Sequence, residues 1–374
     1  MRRSILALAF VVVTASCGGG AAQDEPGAPG PRVAVFQDGT FPDARSLVSP
    51  AVLGVQLALG QADLAQGVSI MVVETGPDGE RATAAAGMVA ADPTVVGAVV
   101  APFTRMPADA TAALLAAGLP VLSLSELAEA PAHDAGAPWR RLVPPLAIQA
   151  GALADVADSL RHNGPACLAG EGTGWSEGLR AEVARRIPGP PSILVGGPAD
   201  RAGAVAAASG CRVAVWTGSA QGASAFRAGI GRTDGVRLVL ADSARTAGFL
   251  EAGGPRLAGI DGACSCVDLS TSAEQDAQRF LHDYQAATGL DAGPFAAEGF
   301  DAGSLLASAL RRAGGPGAGV GAAIASLAGA EGLGGPYRWD PQGDLAPPSV
   351  RIYRATGYRW IAIATARFRA LAAG

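Results

Sequence analysis

From Arg32 onward, short continuous apolar runs alternate with longer segments whose apolar residues recur at helical spacing. Arg32–Phe36, Ser69–Val73, Val95–Ala101 and Pro120–Ser123 read as strands, with helices predicted over Val52–Leu64, Arg81–Ala91 and Ala108–Ala117. The strand runs do not alternate apolar with polar, the pattern of a parallel sheet covered on both faces. After Pro144-Pro145 the pattern restarts. Helices are predicted over Ala147–His162, Ser176–Arg186 and Gly222–Ile230, and strands over Ala166–Ala169, Ser192–Val195, Arg212–Trp216 and Arg237–Ala241. Beyond Cys264 come two further helices, Ala273–Thr288 and Glu298–Ala313, then short strands at Pro336–Asp344, Val350–Tyr353 and Trp360–Ile363. Two successive βα halves imply an α/β protein of two doubly wound lobes with a cleft between them.

The residues before Arg32 follow another pattern. Met1-Arg2-Arg3, an apolar run from Ile5 to Val13 and the small residues Thr14-Ala15-Ser16 precede Cys17. A cationic start, a short apolar core and small residues form a secretory signal, and the core falls short of the ~20 residues that span a bilayer. The cysteine at this place resembles a bacterial lipoprotein signal, which implies a leader over residues 1–16 and lipidation of Cys17. Residues 17–31 are rich in Gly, Ala and Pro, with Asp24 and Glu25 their only charges, and read as a flexible tether. The expected location is outside the cytoplasm, on the membrane surface through the lipid.

Composition narrows the function classes. The 374 residues are 49% hydrophobic and 16% charged, ample for two domains. The net charge of −5 argues against a nucleic-acid partner, and the basic residues are all arginine. Besides Cys17 there are Cys167, Cys211, Cys264 and Cys266, and four cysteines allow three pairings. Cys167 and Cys211 each open a strand-like run, so a bridge between neighbouring strands is a candidate. Cys264 and Cys266, two residues apart, are a tight fit for one. His133, His162 and His282 stand singly, without metal-ligand spacing.

Enzyme motifs do not hold together. Gly174-Trp-Ser-Glu-Gly178 has the spacing of a nucleophile elbow, but Gly170–Thr173 separate it from the strand and the only later histidine is His282. Gly170–Gly174 lacks the Lys-Ser/Thr of a phosphate loop. No catalytic residue, cofactor or metal is expected.

Several segments, taken in order, carry a family resemblance. They are Val96-Gly-Ala-Val-Val-Ala-Pro-Phe-Thr104, Ala117-Gly-Leu-Pro-Val-Leu-Ser-Leu-Ser125, Gly172-Thr-Gly-Trp-Ser-Glu-Gly-Leu179, Phe295-Ala-Ala-Glu-Gly-Phe-Asp-Ala302 and Gly335-Pro-Tyr-Arg-Trp-Asp-Pro-Gln-Gly-Asp344. From about Arg32 to Ile363 the chain resembles type I periplasmic solute-binding proteins of the branched-chain amino acid group. The resemblance implies three interlobe crossovers, placed near Val143, Cys264 and Gly335. Lobe one is then 32–143 plus 265–335 and lobe two 144–264 plus 336–374. It also implies hinge closure over a small-molecule ligand and an ABC transporter permease as partner, with a tethered sensor or scaffold of the same fold as the alternative.

Carried over residue by residue, the resemblance puts Thr104, Ser123 and Ser125 where hydroxyls grip a ligand carboxylate. Trp175 falls where an aromatic closes over the ligand, and Asp242 where an acid takes an ammonium. Asp38 to Phe41 form the remaining wall. The chain departs from the family where Ala-Thr is usual and Glu126-Leu127 stands. An inward Glu126 repels an acidic ligand and favours a cation. Arg105, beside Thr104, is the candidate that offsets it or binds an acid directly.

Overall fold

In the computed structural model, residues 30–367 are described except 66, 78, 131–135, 188–192, 232–234 and 318; the predicted leader and Cys17 lie outside them. The first lobe is built on five parallel strands, β1 (Arg32–Gln37), β2 (Ser69–Glu74), β3 (Val95–Val100), β4 (Val121–Ser123) and β5 (Trp139–Arg141), in the order β2-β1-β3-β4-β5. Helices α1 (Ala44–Leu47), α2 (Ser49–Gln61), α3 (Ala82–Ala90) and α4 (Ala108–Ala116) lie between strands, the last three where the periodicity predicts helices. All six residues of β3 are buried, which accounts for its unbroken apolar run.

The second lobe opens with α5 (Leu146–Arg161). It continues through β6 (Ala166–Ala169), α6 (Gly174–Arg186), β7 (Ile193–Val195), α7 (Ala199–Ala208), β8 (Val213–Trp216), α8 (Ala220–Ile230), β9 (Arg237–Leu240), α9 (Ala247–Gly253) and β10 (Asp261–Cys264). The chain then returns to the first lobe as α10 (Gln275–Thr288), α11 (Ala296–Ala313) and α12 (Gly319–Ala325), followed by the antiparallel pair β11 (Gly329–Gly332) and β12 (Gly335–Arg338). Finally β13 (Ser349–Ala355) and β14 (Trp360–Arg367) add antiparallel to β10, giving the sheet β14-β13-β10-β9-β8-β6-β7. Three crossovers thus join two lobes. Cys167 of β6 is disulfide-bonded to Cys211, which precedes the neighbouring strand β8, and Cys264 is bonded to Cys266 despite the short spacing.

Several features differ from the sequence reading, among them helices α7, α9 and α12 and strand β11, which it did not assign. The third crossover follows residue 345 rather than Gly335, because the intervening segment is fastened to lobe one. The Tyr337 hydroxyl donates to Asp301 on α11 (2.7 Å), the Trp339 indole donates to the Arg141 carbonyl (2.8 Å), and the Arg141 guanidinium donates to Asp344 (2.7 Å). The strand predicted over Pro336–Asp344 accordingly shrinks to β12. Strand β5 gave no apolar signal because two of its three residues are arginines, both buried.

Lobe one depends on the close packing of α2 against α11. A Cβ on Gly54 would sit 2.3 Å from the Ala296 carbonyl, and one on Gly299 would sit 2.1 Å from the Ala51 carbonyl, so the backbones touch through hydrogen alone. Gly299→Ala is expected to force the helices apart and lower unfolding free energy by about 1–3 kcal/mol. Urea denaturation measures this, and a wild-type midpoint would refute the close contact.

Candidate functional site

In open parallel sheets ligands bind beyond the carboxyl ends of the strands, where strand order reverses. In lobe one that reversal lies between β1 and β3, and in lobe two between β6 and β8. The loops after these strands bring Phe41, Phe103 and Trp175 together. Phe41 stacks on Phe103 with centroids 4.4 Å apart, and the Trp175 ring meets both edge-on at 5.8 and 5.5 Å. Phe295, at the start of α11, packs edge-on against Phe103 at 5.5 Å. Trp175 stands in the first turn of α6, which Thr173 caps by accepting the Ser176 N–H. The lobes therefore meet through an aromatic seam, of which sequence reasoning named Phe41 and Trp175 but missed Phe103 and Phe295.

Beside this seam the loops after β4 and β9 set two acids against each other. Glu126 is 5% exposed and Asp242 is fully buried. Burial first, and then the Asp242 charge, push the Glu126 carboxyl well above its usual range, with Ser265 and Arg141 opposing. Burial likewise raises Asp242, while Glu126, Gln149 and the Ser243 N–H pull it back. Asp242 Oδ1 accepts the Ser243 N–H at 2.9 Å. Glu126 Oε1 and Oε2, Asp242 Oδ2, both amide atoms of Gln149, the Trp175 indole N–H and the Ser265 hydroxyl make no well-formed hydrogen bond in the protein, although Glu126 approaches Asp242 and Ser265, and Asp242 approaches Gln149. Buried polar groups are nearly always paired, so such a cluster marks a place where a ligand supplies the partners. Gln149, on the first turn of α5, and Ser265, at the second crossover, were not foreseen; nothing in their local sequence distinguishes them.

The expected hydroxyls behave differently. Thr104 Oγ1 accepts the Asp38 N–H at 3.2 Å, and Ser125 Oγ donates to the Thr104 carbonyl at 2.7 Å while accepting the Leu127 N–H at 3.1 Å. Ser123 Oγ donates to the Ser125 carbonyl and accepts its N–H, both at 3.2 Å. Asp38 itself turns back on Thr40, accepting its N–H and hydroxyl. These side chains lock the loops of lobe one to one another, which is a framework role in place of the expected grip on a carboxylate. Arg105 lies outside the site, exposed and 3.6 Å from Glu129.

Among the direct polar links between the lobes, exposed Asp43 accepts the Ala220 N–H at the start of α8 at 3.2 Å. An anion at a helix N-terminus is favourably placed. The second crossover is held by Glu298 of α11, whose Oε1 accepts the Val267 N–H at 2.7 Å. Ser176 is no elbow nucleophile: its hydroxyl accepts the Glu171 N–H and lies 3.2 Å from Thr217 Oγ1, while His282 is exposed on α10 in the other lobe. Among the described residues, no group of three His, Cys, Asp or Glu side chains is disposed to hold a metal ion. No described helix is long and apolar enough to cross a membrane.

Against known proteins, no family model matches the chain and neither does any curated protein. Solved structures do match. The leucine-binding protein LivK of Thermotoga maritima MSB8 superposes with a TM-score of 0.70 at 16% identity, over 90% of this chain and 98% of that one. LivJ of Streptococcus pneumoniae, in complex with isoleucine, gives 0.67 at 17% over 91% and 99%. A solute-binding protein of an ABC transporter from R. palustris, in complex with benzoate, gives 0.69 at 16% over 90% and 96%. At these identities the likeness establishes the two-lobed type I periplasmic binding protein fold.

Burial pushes Glu298 up from 4.5 to about 7. A carboxyl whose pKa rises on folding holds its proton more tightly in the folded state. Its contribution is therefore fully present below about pH 4.5 and is lost as pH rises through about 7, up to about 3 kcal/mol. Glu298→Gln keeps the acceptor for Val267 and is expected to flatten this loss between about pH 5 and about pH 8. Equal losses in variant and wild type, by urea unfolding at both values, would contradict the assignment.

Proposed function

We propose that the chain is an extracytoplasmic solute-binding lipoprotein with no catalytic activity. It captures a small polar solute between its lobes by hinge closure and delivers it to an ABC importer. The observation that carries this reading is the cluster of buried polar groups without well-formed hydrogen bonds, contributed by lobe one (Glu126), by the crossover (Ser265) and by lobe two (Gln149, Asp242). Such a cluster is completed by a ligand that touches both lobes, and contact with both is what makes closure depend on ligand. The fold shared with LivK, LivJ and the benzoate-bound protein supports delivery to a transporter.

The leader over residues 1–16, Cys17 and the tether to residue 31 give the membrane attachment. We place the first two crossovers near Val143 and Cys264 and the third after residue 345, which gives a lobe one of about 32–143 with 265–345.

Thermal unfolding of the protein against amino acids, amides, amines and small carboxylates tests the capture step. A ligand at about 1,000 times its dissociation constant adds about 4 kcal/mol of apparent stability. Trp175→Ala and Asp242→Ala are each expected to weaken that ligand by about 1–3 kcal/mol, read by calorimetry. Unchanged affinity in both would remove the site from the cleft, and a panel without any stabilising compound would favour a sensor or scaffold. Separately, Cys17→Ala is expected to move the protein from the membrane fraction to the soluble one. Retention in the membrane fraction would refute lipidation.

A further inference from the structure

We propose that the interlobe site takes a small organic cation without a carboxylate, an amine or guanidinium on a short apolar body, held between Glu126 of lobe one and Asp242 of lobe two. The inference rests on the solute-binding reading and assigns the chemical class of its ligand.

The charge inventory of the site carries it. Glu126 presents two carboxyl oxygens and Asp242 one, none with a well-formed hydrogen bond in the protein, and both residues are more than nine-tenths buried. Gln149, fully buried, approaches Asp242 without a well-formed hydrogen bond from either amide atom, so the acids belong to a wider cluster of buried polar groups. Two acids in such a place are stable when a proton or a cation sits between them.

The groups that would receive a carboxylate are committed elsewhere. The hydroxyls of Thr104, Ser123 and Ser125 bind backbone within lobe one. Arg141, the cation that offsets part of the Glu126 charge, donates to Asp344 at 2.7 Å and to the Ser125 carbonyl at 3.0 Å. Arg105 points to solvent and Glu129. A ligand carboxylate entering here would meet two acids, whereas an ammonium or guanidinium would donate to both of them.

The aromatic seam fits the remainder of such a ligand. Trp175, Phe41 and Phe103 supply an apolar wall for an alkyl or aromatic body. A metal ion is disfavoured, since no third acid, histidine or cysteine joins the pair among the described residues.

Calorimetry of the full chain in mild detergent, after dialysis, with putrescine, agmatine, leucine, benzoate and calcium as probes decides the matter. The expected result is binding of putrescine or agmatine and of none of the others. Affinity for the amine should rise between about pH 5 and about pH 8, because the cation displaces a proton. Glu126→Gln and Asp242→Asn should each weaken the amine about thirtyfold or more, with the circular dichroism spectrum unchanged. Binding of leucine, benzoate or calcium with both amines silent overturns the cation assignment and leaves the solute-binding reading in place. Amine binding untouched by both substitutions also overturns it, and silence of all five probes overturns both readings.

Discussion

Taking a carboxyl out of water without a partner costs several kcal/mol, comparable with the whole margin by which a domain stays folded. The meeting of Glu126 and Asp242 is therefore the constraint around which the cleft is organised. Each lobe could have kept its acid in solvent by holding its edge apart, yet the aromatic seam of Phe41, Phe103 and Trp175 draws the edges together and encloses both. Apolar contact closes the lobes, and the polar groups it traps leave that closed form incomplete unless something charged is included. The same opposition would favour a positively charged occupant, because the cluster's unpartnered oxygens are predominantly acidic.

That arrangement works only if the acids are held in place. The hydroxyl network of Thr104, Ser123 and Ser125 ties the loops after β1, β3 and β4 into one surface, so Glu126 is presented from a braced support. On the opposite side Asp242 begins a short turn pinned by the Ser243 hydroxyl donating to the Gly218 carbonyl at 2.8 Å. Below them Arg141 anchors β5 to Asp344, joining the crossover region to the floor of lobe one. Residues that resemble ligand-gripping positions thus act one layer back.

Much of the fold was legible because burial on both faces of a parallel sheet writes itself as unbroken apolar runs, as in Val95–Val100 and Val213–Trp216. Strand β5 escaped since its charged residues are satisfied by distant carbonyls, with Arg140 donating to Ala325 and Leu327. Helix α7, almost wholly alanine and glycine in its buried positions, offers little contrast between faces. In the site, residues next to strand ends could be picked out, as Glu126, Trp175 and Asp242 were. What Thr104 or Arg105 binds could not, because those partners are set by loop geometry that pairs positions far apart in the chain, such as Asp38 with Thr104. Gln149 and Ser265 belong to the site through the placement of a helix start and a crossover, information that no short motif carries.

The contact from Asp43 to the start of α8 has a consequence for timing. Any separation of the lobes must break it, whatever lies in the cleft, so it acts on the rate of release while touching no ligand. If the proposed capture of a solute holds, one that binds modestly stays enclosed for longer than its own contacts would give, and a surface that competes for the Asp43 carboxylate would shorten that dwell time.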